Sequence, residues 1–431
     1  MLSINKASSF DIEINDIASD KSISHRCAIF SLLSDEPSVI RNFLRGEDTM
    51  NSLKIAGAVG AKTHDDGDTI TITPPKSIKS PLVPLDCGNA GTGIRLYMGL
   101  FAGIKGEQFV LYGDESLSVR PMNRISKPLE SIGAEVRGRD NGNLSPLIIF
   151  GKELESFEYE SKVASAQVKS AMILAGLHAK SKSIYSCKKK SRDHSERMLL
   201  GMGADIECDT SNGDKIEINP MKTPLKGLDI SVPGDPSSGF FFAVAAAMIP
   251  GSCVVLKNML LNPTRIEAYN VLSQMGAKVE FIQKSEKYES IGDIKVSYNE
   301  LNAVTVDSNI ASLIDELPAL AIAMAEAKGT SKVRNAKELR AKESDRISSV
   351  VQSLKSCDIE VVEHEDGYEI VGSKLKGARI KNYDDHRIAM SFAIAGLVCG
   401  DMEVEGEEYI LTSFPNFVDI LSRIGDVRNA D

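Results

Sequence analysis

The 431-residue sequence lacks the residue groupings that mark several common kinds of protein. Its seven cysteines are scattered and form no Cys-x-x-Cys pair, which favours buried thiols in a reducing compartment over a disulfide framework. Its six histidines form no ligand cluster, so we expect no metal and no cofactor. The longest apolar run, residues 240–249, is too short to span a bilayer, and no leader pattern opens the chain. These absences predict a cytoplasmic protein with no membrane association.

Basic residues are also fewer than acidic ones, which gives a formal net charge of −10 at pH 7. The only dense cationic run is residues 188–192, Lys-Lys-Lys-Ser-Arg, and such a run is usually a solvated edge. A general nucleic-acid binder needs a long basic face, so we expect no nucleic-acid partner. The hydrophobic fraction of 42% and the charged fraction of 26% are ordinary for a globular protein, and the length is sufficient for two or three cores.

The sequence does contain a repeated pattern: an amphipathic helical stretch ends in Gly-Ala, and a charged residue and a strand follow. The pattern occurs at Gly60, Gly133, Gly203 and Gly276, with degraded copies at residues 356–359 and 425–427, at intervals of 69 to 80 residues. Glycine is typical of the C′ position, where a left-handed conformation ends a helix. Six near-equal units indicate duplication, and several units are expected to share one core. We predict two lobes of three units, divided at the proline and glycine cluster of residues 232–236.

Local periodicity supports an α/β unit. Residues alternate in polarity, as in strands, at 68–73, 215–218 and 367–371. Helical periodicity covers residues 121–132, 165–179, 194–202, 264–275, 314–327 and 342–355.

Residues 88–95, Gly-Asn-Ala-Gly-Thr-Gly-Ile-Arg, predict a glycine-rich turn that opens an apolar helix. Three glycines leave backbone amides uncovered, and the helix N-terminus adds partial positive charge, so an anion can bind there. Arg95 adds a cation or braces the turn. The alternative is a tight loop with a capping Asn89 or Thr92. The pattern is neither a Walker A loop nor Gly-x-Gly-x-x-Gly.

Charged residues gather at other predicted helix starts of the first half. Ser22 or Ser24 is predicted to cap the helix that carries Lys21 and Arg26, which suits an oxyanion. Arg120 precedes a proline that can occupy the first turn of a helix. Ser165 opens the next helix, and residues 191–197 mix both signs of charge at another helix start. Solvated helix starts and capping serines are the alternative interpretations.

The second half adds carboxylates. Asp315 precedes an alanine-rich buried helix, where it acts as a base or merely caps the helix. Lys342 and Arg346 are predicted to lie four apart on one helical face with Glu343 beside them, although a solvated helix start has a similar sequence. The motif of residues 384–390 puts His386 and Arg387 in the first turn of an apolar helix, where cations cost stability unless an anion is present.

Taken together, these motifs resemble the 5-enolpyruvylshikimate-3-phosphate synthase family of enolpyruvyl transferases in order and spacing over nearly the whole chain. The resemblance implies a two-lobed inside-out α/β fold of six βαβαββ units, three in each lobe. It assigns residues 20–233 to the N-terminal lobe and residues 1–19 with 234–431 to the C-terminal lobe. The implied reaction transfers the enolpyruvyl group of phosphoenolpyruvate to the 5-hydroxyl of shikimate 3-phosphate and releases phosphate, a step towards chorismate and the aromatic amino acids.

The resemblance also implies roles for individual residues. Asp315 would accept the hydroxyl proton, Glu343 would deliver a proton to the methylene carbon, and Lys21 is a further candidate for proton transfer. Phosphoenolpyruvate would contact Lys21, Gly91, Arg120, Gln167, Arg346 and Arg387. Shikimate 3-phosphate would contact Lys21, Ser22, Arg26, Ser165, Ala166, Gln167, Ser191, Asp315 and Lys342. The supporting residues would be Asn89, Thr92, Arg95, Arg192, Glu338 and His386.

Two positions depart from the best-known branch of the family, which has lysine where Thr412 stands and asparagine where Glu338 stands. Because Gly91 is retained, we do not predict tolerance to glyphosate. The nearest alternative is the sister transferase that acts on UDP-N-acetylglucosamine, whose active-site loop carries a cysteine that residues 114–119 lack. A noncatalytic scaffold that binds a phosphorylated partner is a second alternative, although it has no need of both acids. The two small-molecule substrates are the expected partners, and we expect a monomer.

Overall fold

The computed structural model describes residues 1–429, with the exception of the Thr412 side chain. The departure noted at Thr412, and residues 430–431 of the predicted C-terminal lobe, therefore lie outside the described part. The chain forms two compact units. Unit 1 comprises Met1–Ala18, Pro233–Glu286 and the chain from Ser290 onward, and unit 2 comprises Ser19–Val232 with Lys287–Glu289. No helix within residues 1–429 is long and apolar enough to cross a membrane.

Each unit contains three four-stranded sheets, and all six sheets share one topology. An edge strand pairs in parallel with its neighbour, and the next two pairings are antiparallel. The prediction of six repeated α/β units is confirmed. The sheets of unit 2 contain β3 (Ser38–Arg41), β4 (Lys62–Asp65), β5 (Thr69–Thr73) and β14 (Asp229–Ser231); β6 (Leu85–Asp86), β7 (Gln108–Tyr112), β8 (Glu135–Gly138) and β9 (Leu144–Phe150); and β10 (Glu158–Ser161), β11 (Ser183–Cys187), β12 (Ile206–Asp209) and β13 (Asp214–Ile218).

In unit 1 the first strands of the chain complete two sheets whose other strands come from the second half of the sequence. The sheets of unit 1 contain β1 (Leu2–Ile4), β22 (Arg379–Ile380), β23 (Met402–Val404) and β24 (Val427–Asn429); β2 (Asp11–Ile14), β15 (Cys253–Leu260), β16 (Lys278–Ser285) and β17 (Ile291–Ser297); and β18 (Thr305–Val306), β19 (Thr330–Val333), β20 (Glu360–His364) and β21 (Gly367–Val371).

Three helices in each unit are almost entirely buried. Five of them are rich in apolar and small residues, whereas the helix Lys21–Phe30 also buries Ser24, His25 and Arg26. The other helices bury one face. The buried helices are α1 (Lys21–Phe30), α3 (Gly91–Ala102) and α7 (Ala166–Gly176) in unit 2, and α9 (Pro236–Met248), α11 (Leu317–Glu326) and α13 (His386–Cys399) in unit 1. The longer one-faced helices are α2 (Glu47–Ala58), α5 (Asn123–Ser131), α8 (His194–Gly201), α10 (Glu267–Gln274) and α12 (Arg346–Ser356). The short helices are α4 (Glu115–Ser118), α6 (Arg139–Gly142), α14 (Glu407–Ser413) and α15 (Phe417–Ser422), with 3₁₀ helices at Ser31–Leu33, Ile310–Ser312 and Lys337–Ala341.

Close approach between two buried helices depends on a glycine. A Cβ on Gly99 in α3 would lie 2.4 Å from the Ala171 carbonyl oxygen in α7. Only a residue without a side chain permits this packing. The contact helps to fix the N-termini of α3 and α7, which carry predicted site residues, relative to each other.

The repeated Gly-Ala pattern ends helices as predicted in its four full copies. Gly60, Gly133, Gly203 and Gly276 all have positive φ, between 92° and 117°. In the fifth copy, residues 356–359, the left-handed residue is Asp358, with φ of 63°, so an aspartate takes the place of the glycine. The sixth copy differs, because Gly425 does not adopt a positive φ.

Several predicted helix starts were wrong, among them those at residues 264 and 314, because α10 begins at Glu267 and α11 begins at Leu317. Asp20, rather than Ser22 or Ser24, caps α1, because its carboxylate accepts a hydrogen bond from the Ile23 amide at 2.8 Å. Pro121 lies outside α5, which begins at Asn123. The helix predicted from Lys342 begins only at Arg346, because the Asp345 carboxylate accepts from the Ser348 amide and caps the helix there. Lys342 and Glu343 consequently lie in the segment before the helix.

Candidate active site

The predicted site residues of unit 2 lie at the N-termini of its helices, beginning with α1. Lys21 is exposed and forms an ion pair with Asp48. Arg26, on the next turn, is buried and donates to Ser195 Oγ at 2.9 Å and to Ser170 Oγ at 3.0 Å. It also donates to the carbonyl oxygen of Ser22 at 3.1 Å. Burial lowers the pKa of Arg26 to about 10, so the side chain remains charged at neutral pH.

The glycine-rich turn opens α3 at Gly91, as predicted. Arg95 Nη1 donates to Gln167 Oε1 at 2.8 Å, and Gln167 Nε2 donates to Thr92 Oγ1 at 3.2 Å. These contacts join α3 to α7. The structure therefore brings three of the predicted residues, Thr92, Arg95 and Gln167, into one hydrogen-bonded group.

Arg120 approaches the same turn from the segment before α5. Its Nη2 donates to Asn89 Oδ1 at 2.5 Å, and Asn89 Nδ2 donates to Asp114 Oδ2 at 2.9 Å. A Cβ on Gly91 would lie 3.2 Å from Nη1 of both Arg120 and Arg95. The start of α3 thus faces two guanidinium groups, but the Gly91 amide is not uncovered as expected, because it donates to the Asn89 carbonyl oxygen at 2.8 Å. Burial, together with the neighbouring charges of Arg124 and Arg120, lowers the pKa of Arg95 to about 10.

The remaining predicted residues of unit 2 lie at the starts of α7 and α8. Ser165 caps α7, where its hydroxyl accepts from the Val168 amide at 3.4 Å, and Ala166 is the first helical residue. Ser191 and Arg192 are partly buried in the loop before α8. The Ser191 amide and hydroxyl both donate to Asp214 Oδ2, at 3.0 and 2.9 Å. Helix N-termini with such polar groups are suited to oxyanions.

The predicted residues of unit 1 gather around Arg346, whose side chain is 1% exposed. Its guanidinium donates to Asp385 from Nε at 2.8 Å and from Nη2 at 3.2 Å, and to Glu343 Oε2 at 2.6 Å. Nη1 lies 3.4 Å from Asp315 Oδ1. Burial alone would lower the pKa of Arg346, but the hydrogen bond and charge of Asp385 and the two other acids raise it. Burial would likewise raise the pKa of Asp385, and Arg346 lowers it instead.

Two further cations contact Asp315. Lys342 Nζ lies 3.6 Å from its Oδ1, and Arg387 Nη1 donates to its backbone oxygen at 2.9 Å. Arg387 lies in the first turn of α13, as predicted, and Asp385 caps that helix by accepting from the Arg387 amide at 2.9 Å. Burial and the neighbouring charge of Arg387 lower the pKa of His386 to about 4, so His386 is neutral at pH 7.

This arrangement supplies acid and base groups beside fixed positive charge. Asp315 and Glu343 both contact Arg346, and their side chains are 24% and 49% exposed, so each is open to a substrate. Carboxylates in such positions can accept or donate a proton, and the nearby cations can bind a carboxylate or phosphate group. Glu338, by contrast, is exposed on the 3₁₀ helix Lys337–Ala341 and joins none of these contacts. Within residues 1–429 no group of three His, Cys, Asp or Glu side chains is placed to hold a metal ion.

The sequence analysis did not identify several residues that hold the predicted ones. Ser170 and Ser195 bind Arg26, Asp214 binds Ser191, and Asp385 binds Arg346. Asp385 was part of a recognised motif, and its position just before a helix was an available signal for a cap. Ser195 also lies in a recognised motif, residues 191–197, but like Ser170 and Asp214 it becomes a partner only through the fold, so local sequence carried no signal for these contacts.

Known proteins resemble this chain over nearly its whole length. The family model for EPSP synthase (3-phosphoshikimate 1-carboxyvinyltransferase) matches residues 4–421. A protein of that name from Nitratiruptor sp. is 60% identical over 430 residues, 99% of this chain and 99% of the relative. Another from Campylobacter curvus is 57% identical over 415 residues, 96% of each chain. A solved structure of EPSP synthase from Acinetobacter baumannii has a TM-score of 0.92 and 35% identity, covering 99% of both chains. With a family model that matches nearly its whole length, the chain belongs to the EPSP synthase (3-phosphoshikimate 1-carboxyvinyltransferase) family.

Proposed function

We propose that this chain transfers the enolpyruvyl group of phosphoenolpyruvate to the 5-hydroxyl of shikimate 3-phosphate, with release of phosphate. The observation that carries the proposal is the group in unit 1 where Asp315 and Glu343 share contacts with Arg346 and where Lys342 and Arg387 also reach Asp315. A transfer between two anionic substrates requires positively charged side chains that bind them and acid or base groups that transfer protons.

Shikimate 3-phosphate is the proposed ligand of the residues around Arg26. Arg26 contacts only neutral oxygens directly, so its charge remains available to a phosphate. Lys21, Ser22, Ser165, Ala166, Gln167 and Ser191 are its proposed companions in unit 2, and Lys342 and Asp315 its proposed companions in unit 1.

Phosphoenolpyruvate is the proposed ligand of the arginines at helix starts. Arg120 supplies donors in unit 2 beside Gly91, whose own amide already donates to the Asn89 carbonyl oxygen at 2.8 Å. Arg346 and Arg387 supply donors in unit 1. Lys21 and Gln167 complete this proposed set. Asn89, Thr92, Arg95, Arg192, Glu338 and His386 are proposed to support it.

Asp315 and Glu343 are the proposed proton-transfer groups. Asp315 takes the proton of the 5-hydroxyl while that oxygen bonds to C2 of phosphoenolpyruvate, and Glu343 donates a proton to C3. Loss of phosphate from C2, with return of a proton from C3 to the Glu343 carboxylate, then restores the double bond. Each step balances in atoms and charge without a cofactor.

The proposed function is tested by the rate of phosphate release from phosphoenolpyruvate with and without shikimate 3-phosphate. We expect release only when both are present. Arg387→Met should lower kcat/KM at least about 100-fold, because a charged hydrogen bond to the reacting ligand is lost. Arg379→Met removes an exposed arginine paired with Glu405 and should leave the rate within twofold of the parent. Folded protein that releases no phosphate under either condition would reject the proposal.

The alternatives predict different results. UDP-N-acetylglucosamine in place of shikimate 3-phosphate would support release if the chain were the sister transferase. A noncatalytic scaffold would bind a phosphorylated ligand without turnover.

We also propose that the protein is a monomer in the cytoplasm, in keeping with the seven free cysteines. The proposed lobes are residues 20–233 and residues 1–19 with 234–431.

A further inference from the structure

A buried cluster of charges in unit 2 lies beside the residues proposed to bind shikimate 3-phosphate. Lys169 in α7 is fully buried, and its Nζ lies 2.7 Å from Glu196 Oε1 and 2.9 Å from Asp214 Oδ2. It also donates to the Ser191 carbonyl oxygen at 3.2 Å. Three acceptors match the three protons of the ammonium group. Burying one cation with two acids is costly, so a functional reason for the cluster is worth seeking.

The cluster holds Ser191 at three backbone and side-chain atoms. Asp214 Oδ2 accepts from the Ser191 amide and hydroxyl, while Lys169 binds the Ser191 carbonyl oxygen. Ser191 follows three exposed lysines and lies three residues before the start of α8. The position of its hydroxyl is therefore set by α7 and by the start of β13.

Ser191 cannot donate its single hydroxyl proton to Asp214 and to a phosphate at once. If the hydroxyl turns to a phosphate, Asp214 still accepts from the Ser191 amide and from Lys169. The carboxylate thus stays satisfied and the loop stays anchored while the hydroxyl is released. Without Lys169, the Asp214 carboxylate would keep only the Ser191 amide as a donor once the hydroxyl turned away.

We propose that Lys169 and Asp214 are positioning residues that hold the Ser191 hydroxyl for the phosphate of shikimate 3-phosphate. The proposal rests on the proposed function, because it assigns Ser191 to that substrate. Neither residue needs to touch the substrate. Both are expected to affect KM for shikimate 3-phosphate and to leave KM for phosphoenolpyruvate and kcat nearly unchanged.

A double-mutant cycle between Asp214→Asn and Ser191→Ala tests the proposal. Each single change should raise KM for shikimate 3-phosphate about tenfold, the loss expected for one charged-group hydrogen bond. Because Asp214 acts through the Ser191 hydroxyl, the double variant should also stay near tenfold rather than approach 100-fold. A multiplicative effect, or an equal change in KM for phosphoenolpyruvate, would overturn the assignment.

A second variant tests Lys169 without changing the net buried charge, which lowers the risk that the variant fails to fold. Lys169→Met with Glu196→Gln removes one positive and one negative buried charge, so the net buried charge is unchanged while Lys169 is lost. It should raise KM for shikimate 3-phosphate about tenfold. Lys257→Met makes the same side-chain change in unit 1, where Nζ lies 2.9 Å from the buried Asp293 carboxylate, and should leave both KM values unchanged. An unchanged KM in the Lys169 variant contradicts the proposal, whereas an inactive parent enzyme would instead refute the proposed function.

Discussion

Two arginines of the candidate site, Arg26 and Arg346, are buried but have different partners. Arg26 contacts serine oxygens, and none of the described carboxylates lies within ion-pair distance of it. Arg346 contacts three carboxylates. Glu196, Asp20 and Glu289 favour the charge of Arg26 without direct contact. Its guanidinium therefore has no bound carboxylate that an anionic ligand would have to displace. Arg346 also holds the acids in place.

This difference predicts opposite effects on stability. Arg26→Met should raise KM for shikimate 3-phosphate more than tenfold yet leave the melting temperature unchanged or higher, because a buried charge without an ion pair is removed. Arg346→Met should lower the free energy of unfolding by about 3–5 kcal/mol, because it leaves three acids without their buried partner. Thermal unfolding and steady-state kinetics measure both effects. A stabilised Arg346 variant would contradict this assignment.

Gly91 gives a second prediction for a single residue. A Cβ there would lie 3.2 Å from Nη1 of Arg95 and of Arg120, so Gly91→Ala should displace these guanidinium groups. We expect KM for phosphoenolpyruvate to rise about tenfold with little change in the binding of shikimate 3-phosphate. Gly57→Ala is the matched control, because nothing lies within 4 Å of its added Cβ and it lies inside α2. That control should be neutral or stabilising by about 0.5–1 kcal/mol.

At the scale of single residues, motifs identified most of the side chains that gather in each unit. The exposed or partly exposed ends of helices carry local signals, as at Arg387 and Gln167. Lys169 carried none, because an isolated lysine in an apolar helix gives no indication that two acids from distant segments will surround it. The residues that the sequence did not predict are those whose contacts form only when distant segments pack together.

At the scale of elements, helix ends are set by side chains that the periodicity of the sequence does not reveal. The predicted helix of residues 342–355 was four residues too long at its start, because the Asp345 carboxylate accepts from the Ser348 amide. Helix stops were easier to predict, since glycine at a left-handed position has a clear sequence signature. The two degraded repeats were exceptions, because Asp358 replaces glycine in the fifth and Gly425 does not adopt a positive φ in the sixth.

Gly203 offers a direct test of the left-handed stops. Its φ is 92° and nothing lies within 4 Å of an added Cβ, so only backbone strain opposes a side chain. Gly203→Ala should lower the free energy of unfolding by about 1–2 kcal/mol, and Gly203→Asn should cost less. Denaturant unfolding measures both values. Equal stability of Gly203→Ala and the parent would show that the stop is not strained.

At the scale of the whole molecule, the sequence repeats were sufficient to predict six α/β units, because duplication leaves a periodic signal along the chain. The register of each sheet and the ion pairs between distant strands could not be predicted in the same way. They depend on packing between segments that are far apart in sequence.

Buried histidines make the stability of the whole molecule sensitive to pH. Burial lowers the pKa of His25 to about 3 and that of His178 to about 4. The unfolded chain therefore binds more protons below pH 6.5, and stability present above that pH is lost as pH falls towards 4. At pH 5 each of these two histidines should lower the free energy of unfolding by about 2 kcal/mol relative to its value at pH 7. His178→Gln should remove its share of this loss, whereas His64→Gln, on an exposed strand, should not. Equal pH dependence in all three proteins would contradict the assignment.

The central claim is that one chain joins the two substrates, and ³¹P NMR of a single reaction mixture tests it most directly. We expect the signal of phosphoenolpyruvate to decline in step with the growth of inorganic phosphate, while shikimate 3-phosphate converts to one new phosphate monoester in equal amount. An unchanged shikimate 3-phosphate signal, or inorganic phosphate that forms without it, would contradict the account.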